Sequence, residues 1–135
     1  MADQPQDGQP LRGRTVLIVE DEYLLASDLR RELEAAGATV LGPAPSVENA
    51  HALAAGNDRI DAAVLDVNLG GEMIYPVADL LEDRGTQLLF ATGYDQPALP
   101  TRFAATPHVE KPVGAGAVVR ALSRAMSPAG AATTG

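Results

Sequence analysis

The chain has 135 residues, the size of one ordinary domain, and sets 10 Lys and Arg against 18 Asp and Glu for a net charge of −8. That sign excludes the basic face needed to neutralise nucleic-acid phosphates or to dock on an anionic membrane. With no Cys, disulfides, thiolate chemistry and Cys-based zinc sites are excluded as well, and His51 and His108 are too few for a His-rich metal site.

Met1 to Pro10 is polar and lacks the basic-then-apolar shape of a signal peptide. No apolar run reaches the roughly 20 residues of a membrane-spanning helix, so a cytoplasmic protein is expected. Residues 1–13 are rich in Gln, Asp, Gly and Pro, and residues 127–135 are small and polar. Neither stretch buries enough apolar surface to offset ordering entropy, so both are expected to be disordered tails on one domain, 14–126.

Thr15 to Val19 opens that domain with a nearly continuous apolar run, the mark of a strand buried on both faces. Leu25, Leu29 and Leu33 then recur four apart, which predicts a helix over Tyr23 to Ala36, stopped by Gly37. Thr39 to Leu41 predicts a second strand closed by Gly42-Pro43, and Ser46 can cap a helix over Glu48 to Ala55. Ala62 to Leu65 predicts a third strand, ending at Asp66. Ile74 to Glu82 is helical in pattern, with Pro76 tolerated in a first turn. Leu88 to Ala91 predicts a fourth strand running into Thr92-Gly93, and Pro100 to Ala104 is at most a short helix. Pro107 to Glu110 is a weak fifth strand before Lys111-Pro112, and Ala115 to Ala125 is a last helix with Val118, Val119 and Leu122 inward.

This alternation predicts an α/β fold, a doubly wound (βα)5 arrangement around a five-stranded parallel sheet. In such a fold ligands sit beyond the carboxyl ends of the strands. Strand one ends in Glu20-Asp21-Glu22, strand three in Asp66, strand four in Thr92 and strand five in Lys111. Acids brought to one rim repel: two like charges ~4 Å apart cost roughly 4 kcal/mol at an effective dielectric near 20. Either one acid stays protonated or a cation fills the gap, and carboxylate, carbonyl and water oxygens suit Mg²⁺. A cation would leave Asp66 ionised and able to attack phosphorus, as carboxylate nucleophiles do. Mg²⁺, the Lys111 ammonium and the Thr92 hydroxyl would then stabilise charge on the phosphoryl oxygens. Taken singly, the same residues have plainer readings: an acidic helix start, a cap for turn-like Asn68-Leu69-Gly70-Gly71, an ordinary turn and a solvated lysine.

Four motifs in this order resemble the receiver domains of two-component signalling: Val-Leu-Ile-Val-Glu-Asp-Glu at 16–22, Val-Leu-Asp-Val-Asn-Leu at 64–69, Ala-Thr-Gly at 91–93 and Glu-Lys-Pro at 110–112. The resemblance covers 14–126 and implies the flavodoxin-like strand order 2-1-3-4-5. It also implies a role for each matched residue. Asp66 would be the phospho-acceptor, with Thr92 and Lys111 on the phosphoryl oxygens. Asp21 and Asp66 would bind Mg²⁺ directly, Glu20 through a metal-bound water, and Asn68 through its backbone carbonyl. The Lys111–Pro112 bond is often cis in relatives. Glu20 stands where most relatives carry Asp, and His108 where most carry the Tyr or Phe that swings inward on activation.

The run Leu-Phe-Ala-Thr-Gly-Tyr at 89–94 further resembles the receiver subfamily named for Phe-Ala-Thr-Gly, in which that aromatic is usually missing and the fourth helix is reduced. The subfamily's upstream Pro-Phe is replaced here by Gln87-Leu88, and Asp95 stands where a second aromatic or Gly is expected. The partners this implies are a sensor histidine kinase of the HWE or a related class, and a downstream protein target or phosphotransfer protein. Receivers often pair through the fourth-helix, fifth-strand and fifth-helix face, which leaves a homodimer open. Greater mobility is expected over Asp95 to Thr106 than in the sheet.

Three functions follow. The first is a stand-alone, Mg²⁺-dependent phospho-acceptor that signals by contact or serves as a phosphate shuttle or sink, and is not a turnover enzyme. The second is an aspartyl-nucleophile phosphohydrolase, which usually needs an acid two residues after the nucleophile, where Asn68 stands. The third is a receiver that has lost phosphorylation and acts as an adaptor.

Overall fold

The computed structural model describes residues 9–93, 97–114 and 116–126. Tyr94, Asp95 and Ala115, on which parts of the sequence reading fall, lie outside the described residues, as do 1–8 and 127–135.

In chain order the elements are β1 (Thr15–Val19), α1 (Tyr23–Ala35), β2 (Thr39–Ala44), α2 (Val47–Gly56), β3 (Ala62–Asp66), the two-residue strands β4 (Asn68–Leu69) and β5 (Glu72–Met73), α3 (Tyr75–Asp83), β6 (Gln87–Thr92), a 3₁₀ turn (Thr101–Phe103), β7 (His108–Glu110) and α4 (Ala117–Ala125). Five strands form one sheet in the order β2-β1-β3-β6-β7, with every pairing parallel. With the separate antiparallel β4–β5 pair set aside, this is the flavodoxin-like order 2-1-3-4-5.

Side chains alternate across the sheet with a period of two. Leu17, Val19, Ala63, Leu65, Leu88 and Phe90 pack with Ala50 and Ala54 of α2 and Val77, Ala78 and Leu81 of α3. Val16, Ile18, Ala62, Val64 and Leu89 pack with Leu29 and Leu33 of α1 and Val118 and Leu122 of α4. Helices thus cover both faces, which is why the strands read as continuous apolar runs. Ser46 caps α2 by accepting the Asn49 N–H at 3.1 Å. Among the described residues no helix is long and apolar enough to cross a membrane.

The structure departs from the sequence reading in three places. Leu11, assigned to the N-terminal tail, is buried, and its N–H bonds Ala36 O at 2.8 Å, so the ordered body begins before residue 14. A lone leucine among polar residues carries no period, so its burial is a tertiary fact. The strand β2 does not stop at Leu41 but continues to Ala44 across a cis Gly42–Pro43 bond. Its register slips there by one residue, with Leu17 opposite Leu41 but Val19 opposite Ala44. Gly42 has φ +91°, and a Cβ at that position would sit 2.6 Å from Ile18 O, so only glycine fits the bulge. The last helix starts at Ala117 behind Gly116, whose N–H is capped from α1 by Glu32 Oε1 at 3.1 Å. On the edge strand β7, His108 is exposed.

Among the described residues, the connection from β6 to β7 carries the 3₁₀ turn and no α-helix. Phe103 anchors it, buried at 5.1 Å from the Phe90 ring and 5.7 Å from the Tyr75 ring, centroid to centroid. Arg102 clips the same turn to α3 with two bonds to the Asp79 carboxylate, at 2.9 and 3.0 Å.

Candidate functional site

Parallel pairing sends the carboxyl ends of all five strands to one rim. Glu20 follows β1, and its N–H still bonds Ala44 O at 3.0 Å, which holds it in the ladder and buries it to 3% exposure. Asp66 is the last residue of β3, paired with Ala91 of β6 and 5% exposed. Lys111 follows β7, with its N–H on Thr92 O at 2.8 Å. Backbone hydrogen bonds therefore fix all three positions before any side chain acts.

The side chains then converge. Lys111 Nζ lies 3.0 Å from Asp66 Oδ2, 3.1 and 3.2 Å from the two Glu20 oxygens, and 3.7 Å from Glu22 Oε1. One carboxylate oxygen from each of Glu20, Asp21 and Asp66 lies within 4.8 Å of the others. Asp21 is exposed on an open groove of about 600 Å³, which Asp66, Asn68, Lys111, Gly70, Gly71 and Pro97 also line. The Asn68 N–H reaches Asp66 Oδ1 at a long 3.3 Å, and its side-chain oxygen accepts the Gly71 N–H at 2.7 Å.

Thr92 ends β6 on the same rim. Its hydroxyl donates to Val109 O at 3.3 Å and borders a neighbouring groove of about 390 Å³ with Leu99 and His108. Two features escaped the sequence reading. One is the β4–β5 hairpin after Asp66, whose tip Gly70-Gly71 has φ +63° and +97°, the pattern of a tight two-residue turn. Strands of two residues are too short to show a period, although the Gly-Gly pair was the available signal. The other is Glu22, read as a helix start. It is the N-cap of α1, but its side chain makes no cap bond. Glu20 Oε2 accepts the Glu22 N–H instead, at 3.0 Å, and Glu22 leans toward Lys111.

Burial, the largest influence, pushes the Glu20 carboxyl up to about 7. The Glu22 N–H opposes that rise, the Asp66 charge adds to it, and Lys111 opposes it. For Lys111, burial favours the neutral amine, but hydrogen bonds and charge from Asp66 and Glu20 outweigh it and raise its pKa. The lysine is therefore a firm ammonium. Oxygens of Glu20, Asp21 and Asp66 gather beside it, the last two on a solvent-open groove, a hard oxygen donor set that fits a divalent cation such as Mg²⁺.

No family model matches the chain, and no curated protein matches it. Solved structures do. The chain is 40% identical to SdrG from Sphingomonas melonis Fr1 in solution, over 82% of this chain and 93% of that one, with a TM-score of 0.72. The BeF3-activated conformation of SdrG from Pseudomonas melonis Fr1 matches at 38% identity, over 83% and 95%, with a TM-score of 0.68. The signal receiver domain of a modulated diguanylate cyclase from Desulfovibrio desulfuricans G20 matches at 28%, over 84% and 94%, with a TM-score of 0.65. The response regulator PhyR from Brucella abortus matches at 25% over 94% of this chain, which spans only 54% of that protein, with a TM-score of 0.72.

Proposed function

This chain belongs to the response-regulator receiver domains, and on that footing we propose that it takes a phosphoryl group onto Asp66 from a sensor histidine kinase, with Mg²⁺, and signals by protein–protein contact or passes the group on. The observation that carries this reading is Lys111 Nζ held 3.0 Å from Asp66 Oδ2, beside an acid cluster that opens on solvent. Two buried carboxylates that share one ammonium leave a negative balance at the mouth of the groove, which a metal would offset. With that offset, the arrangement suits an incoming anion.

The step balances simply. An Asp66 oxygen forms a bond to phosphorus, the bond from phosphorus to the donor breaks, and the leaving imidazole or carboxylate keeps the electron pair. Lys111 is placed to shift its hydrogen bonds from Asp66 to the transferred oxygens. Thr92 can join it only by turning away from Val109 O, a rotation about one side-chain bond. Asp21 and Asp66 would hold the metal directly, Asn68 through its carbonyl and Glu20 through water. Bound there, Mg²⁺ would neutralise the carboxylates and the phosphoryl charge.

Asn68 stands where an acid would assist turnover, which supports a phospho-acceptor over a phosphohydrolase. The finer assignment is to the Phe-Ala-Thr-Gly subfamily, on Phe90-Ala91-Thr92-Gly93. The 3₁₀ turn in place of a fourth helix and the exposed His108 support it. The SdrG neighbour with a BeF3-activated conformation supports a phosphoryl-responsive rim here. The kinase would then be of the HWE or a related class.

The test is intact mass after incubation with acetyl phosphate and Mg²⁺. Wild type should gain one phosphoryl group and Asp66→Asn none. A label that persists in Asp66→Asn, or an unlabelled wild type that still binds Mg²⁺, would sink the assignment.

A further inference from the structure

We propose that the groove at the amino ends of β1, β3 and β6 binds a small phosphomonoester through Arg84, Arg59 and Arg14. This site stands apart from the phospho-acceptor reading. The five residues of β3, at about 3.3 Å each, separate the groove from Asp66 and the acid rim.

The groove holds about 380 Å³, within the range of small-ligand pockets. The three arginines line it with two aspartates, Asp58 and Asp61, a positive balance on a chain whose net charge is −8. Asp61 serves the fold first, because its Oδ2 accepts the Thr15 N–H at 2.7 Å. Its Oδ1 stands 3.4 Å from Arg59 Nε and 4.0 Å from Arg14 Nη1. Both pairings are long, so neither arginine is tightly held by its acid.

Arg84 is held in another way. Its Nη1 donates to Ala54 O at 2.7 Å and to Asn57 O at 3.1 Å, at the carboxyl end of α2. Those carbonyls fix the guanidinium but carry no formal charge. Among the described residues no carboxylate pairs with Arg84, and its Nε and Nη2 make no hydrogen bond. Closing a helix end uses one nitrogen; the other two leave a positioned fork, the geometry by which Arg takes phosphate or carboxylate.

Size and charge select the ligand. An acidic peptide running past the groove would meet the acidic remainder of the surface and be repelled. A compact dianion, screened beyond about 8 Å, senses mainly the local arginines. One arginine fork satisfies a carboxylate, whereas a phosphoryl group offers three acceptor oxygens. That number suits guanidinium groups arriving from ahead of β1, ahead of β3 and behind α3. Ile60 and Met126 add apolar lining, a seat for the organic part of an ester.

The experiment is a heteronuclear NMR titration of the full chain in EDTA at low salt. The probes are phenyl phosphate, inorganic phosphate, acetate and a short polyglutamate peptide. Phenyl phosphate should shift the Gly85, Thr86 and Gln87 amides and the Arg84 Nε–H, and leave the Lys111 amide unmoved. It should bind about threefold more tightly than inorganic phosphate and more than about tenfold more tightly than acetate. Arg84→Met should cut its affinity about tenfold, and Arg84→Lys nearly as much, since lysine keeps the charge and loses the fork. Asp58→Asn removes an acid from the groove and should raise affinity about twofold.

The site is overturned by unmoved groove amides at roughly 10 mM phenyl phosphate, by an Arg84→Met affinity equal to wild type, or by acetate binding as tightly as the ester. Inorganic phosphate binding as tightly as phenyl phosphate overturns the ester in favour of the free anion, and tighter binding of the peptide overturns the small ligand. Should Arg84→Met fail to fold because α2 loses its closing bonds, Arg59→Met and Asp58→Asn decide. A loss in the first and a gain in the second support the site, and unchanged affinity in both overturns it.

Discussion

A single buried carboxylate ties the site to stability. Burial lifts Glu20 from its ordinary 4.5 to about 7, so the metal-free fold holds that proton more tightly than the unfolded chain does. The resulting contribution is full below about 4.5 and is lost as pH rises through about 7. In EDTA the melting temperature should therefore fall across that window. Glu20→Gln should flatten the fall, because the amide has no proton to lose, and a wild-type slope unchanged in the variant would contradict this. At the residue scale the site was largely legible in the sequence. Glu20, Asp21, Asp66 and Lys111 are polar groups placed where apolar runs stop, and that contrast is visible without coordinates. The direction of the Thr92 hydroxyl was not legible, because it depends on Val109 O of another strand.

The segment that replaces a fourth helix is short but not loose throughout. Phe103 is buried between Phe90 and Tyr75, and the N–H groups of Phe103, Ala104 and Thr106 bond Pro100, Thr101 and Phe103 carbonyls. Removing that ring leaves a cavity in the larger core cluster, so Phe103→Ala should cost about 3–5 kcal/mol in urea unfolding. Arg102→Ala removes an exposed, solvent-screened ion pair and should cost far less than Phe103→Ala. Equal costs would mean that the ion pair, not the ring, holds the turn. Amide exchange expected to be fast over Asp95 to Thr106 should divide, with slower exchange at Phe103, Ala104 and Thr106 than at Ala98 and Leu99. The punctuation by Pro97, Pro100 and Pro107 already forbade a long helix there. The anchor was hidden, because one aromatic in a short, proline-punctuated stretch has no periodicity to betray it.

At the scale of the molecule, two apolar clusters lie on opposite faces of one sheet, and at its rim the single Lys111 ammonium stands among several carboxylates. A cation that binds only the folded rim must stabilise the whole domain. Mg²⁺ at about 100 times its dissociation constant should add about 2.7 kcal/mol at neutral pH, read as a higher melting temperature that EDTA reverses. Asp21→Asn should lose most of that gain, and an equal gain in this variant would place the ion elsewhere.

The sequence by itself determined the elements and the pool of chemical groups, because period, punctuation and side-chain identity are local properties. It could not pair Lys111 with Asp66, 45 residues away, or with Glu20, 91 residues away. Those meetings, the Gly42 bulge and the burial of Leu11 were decided by the tertiary structure. Strand order and register bring together groups whose spacing along the chain records nothing of their distance in space.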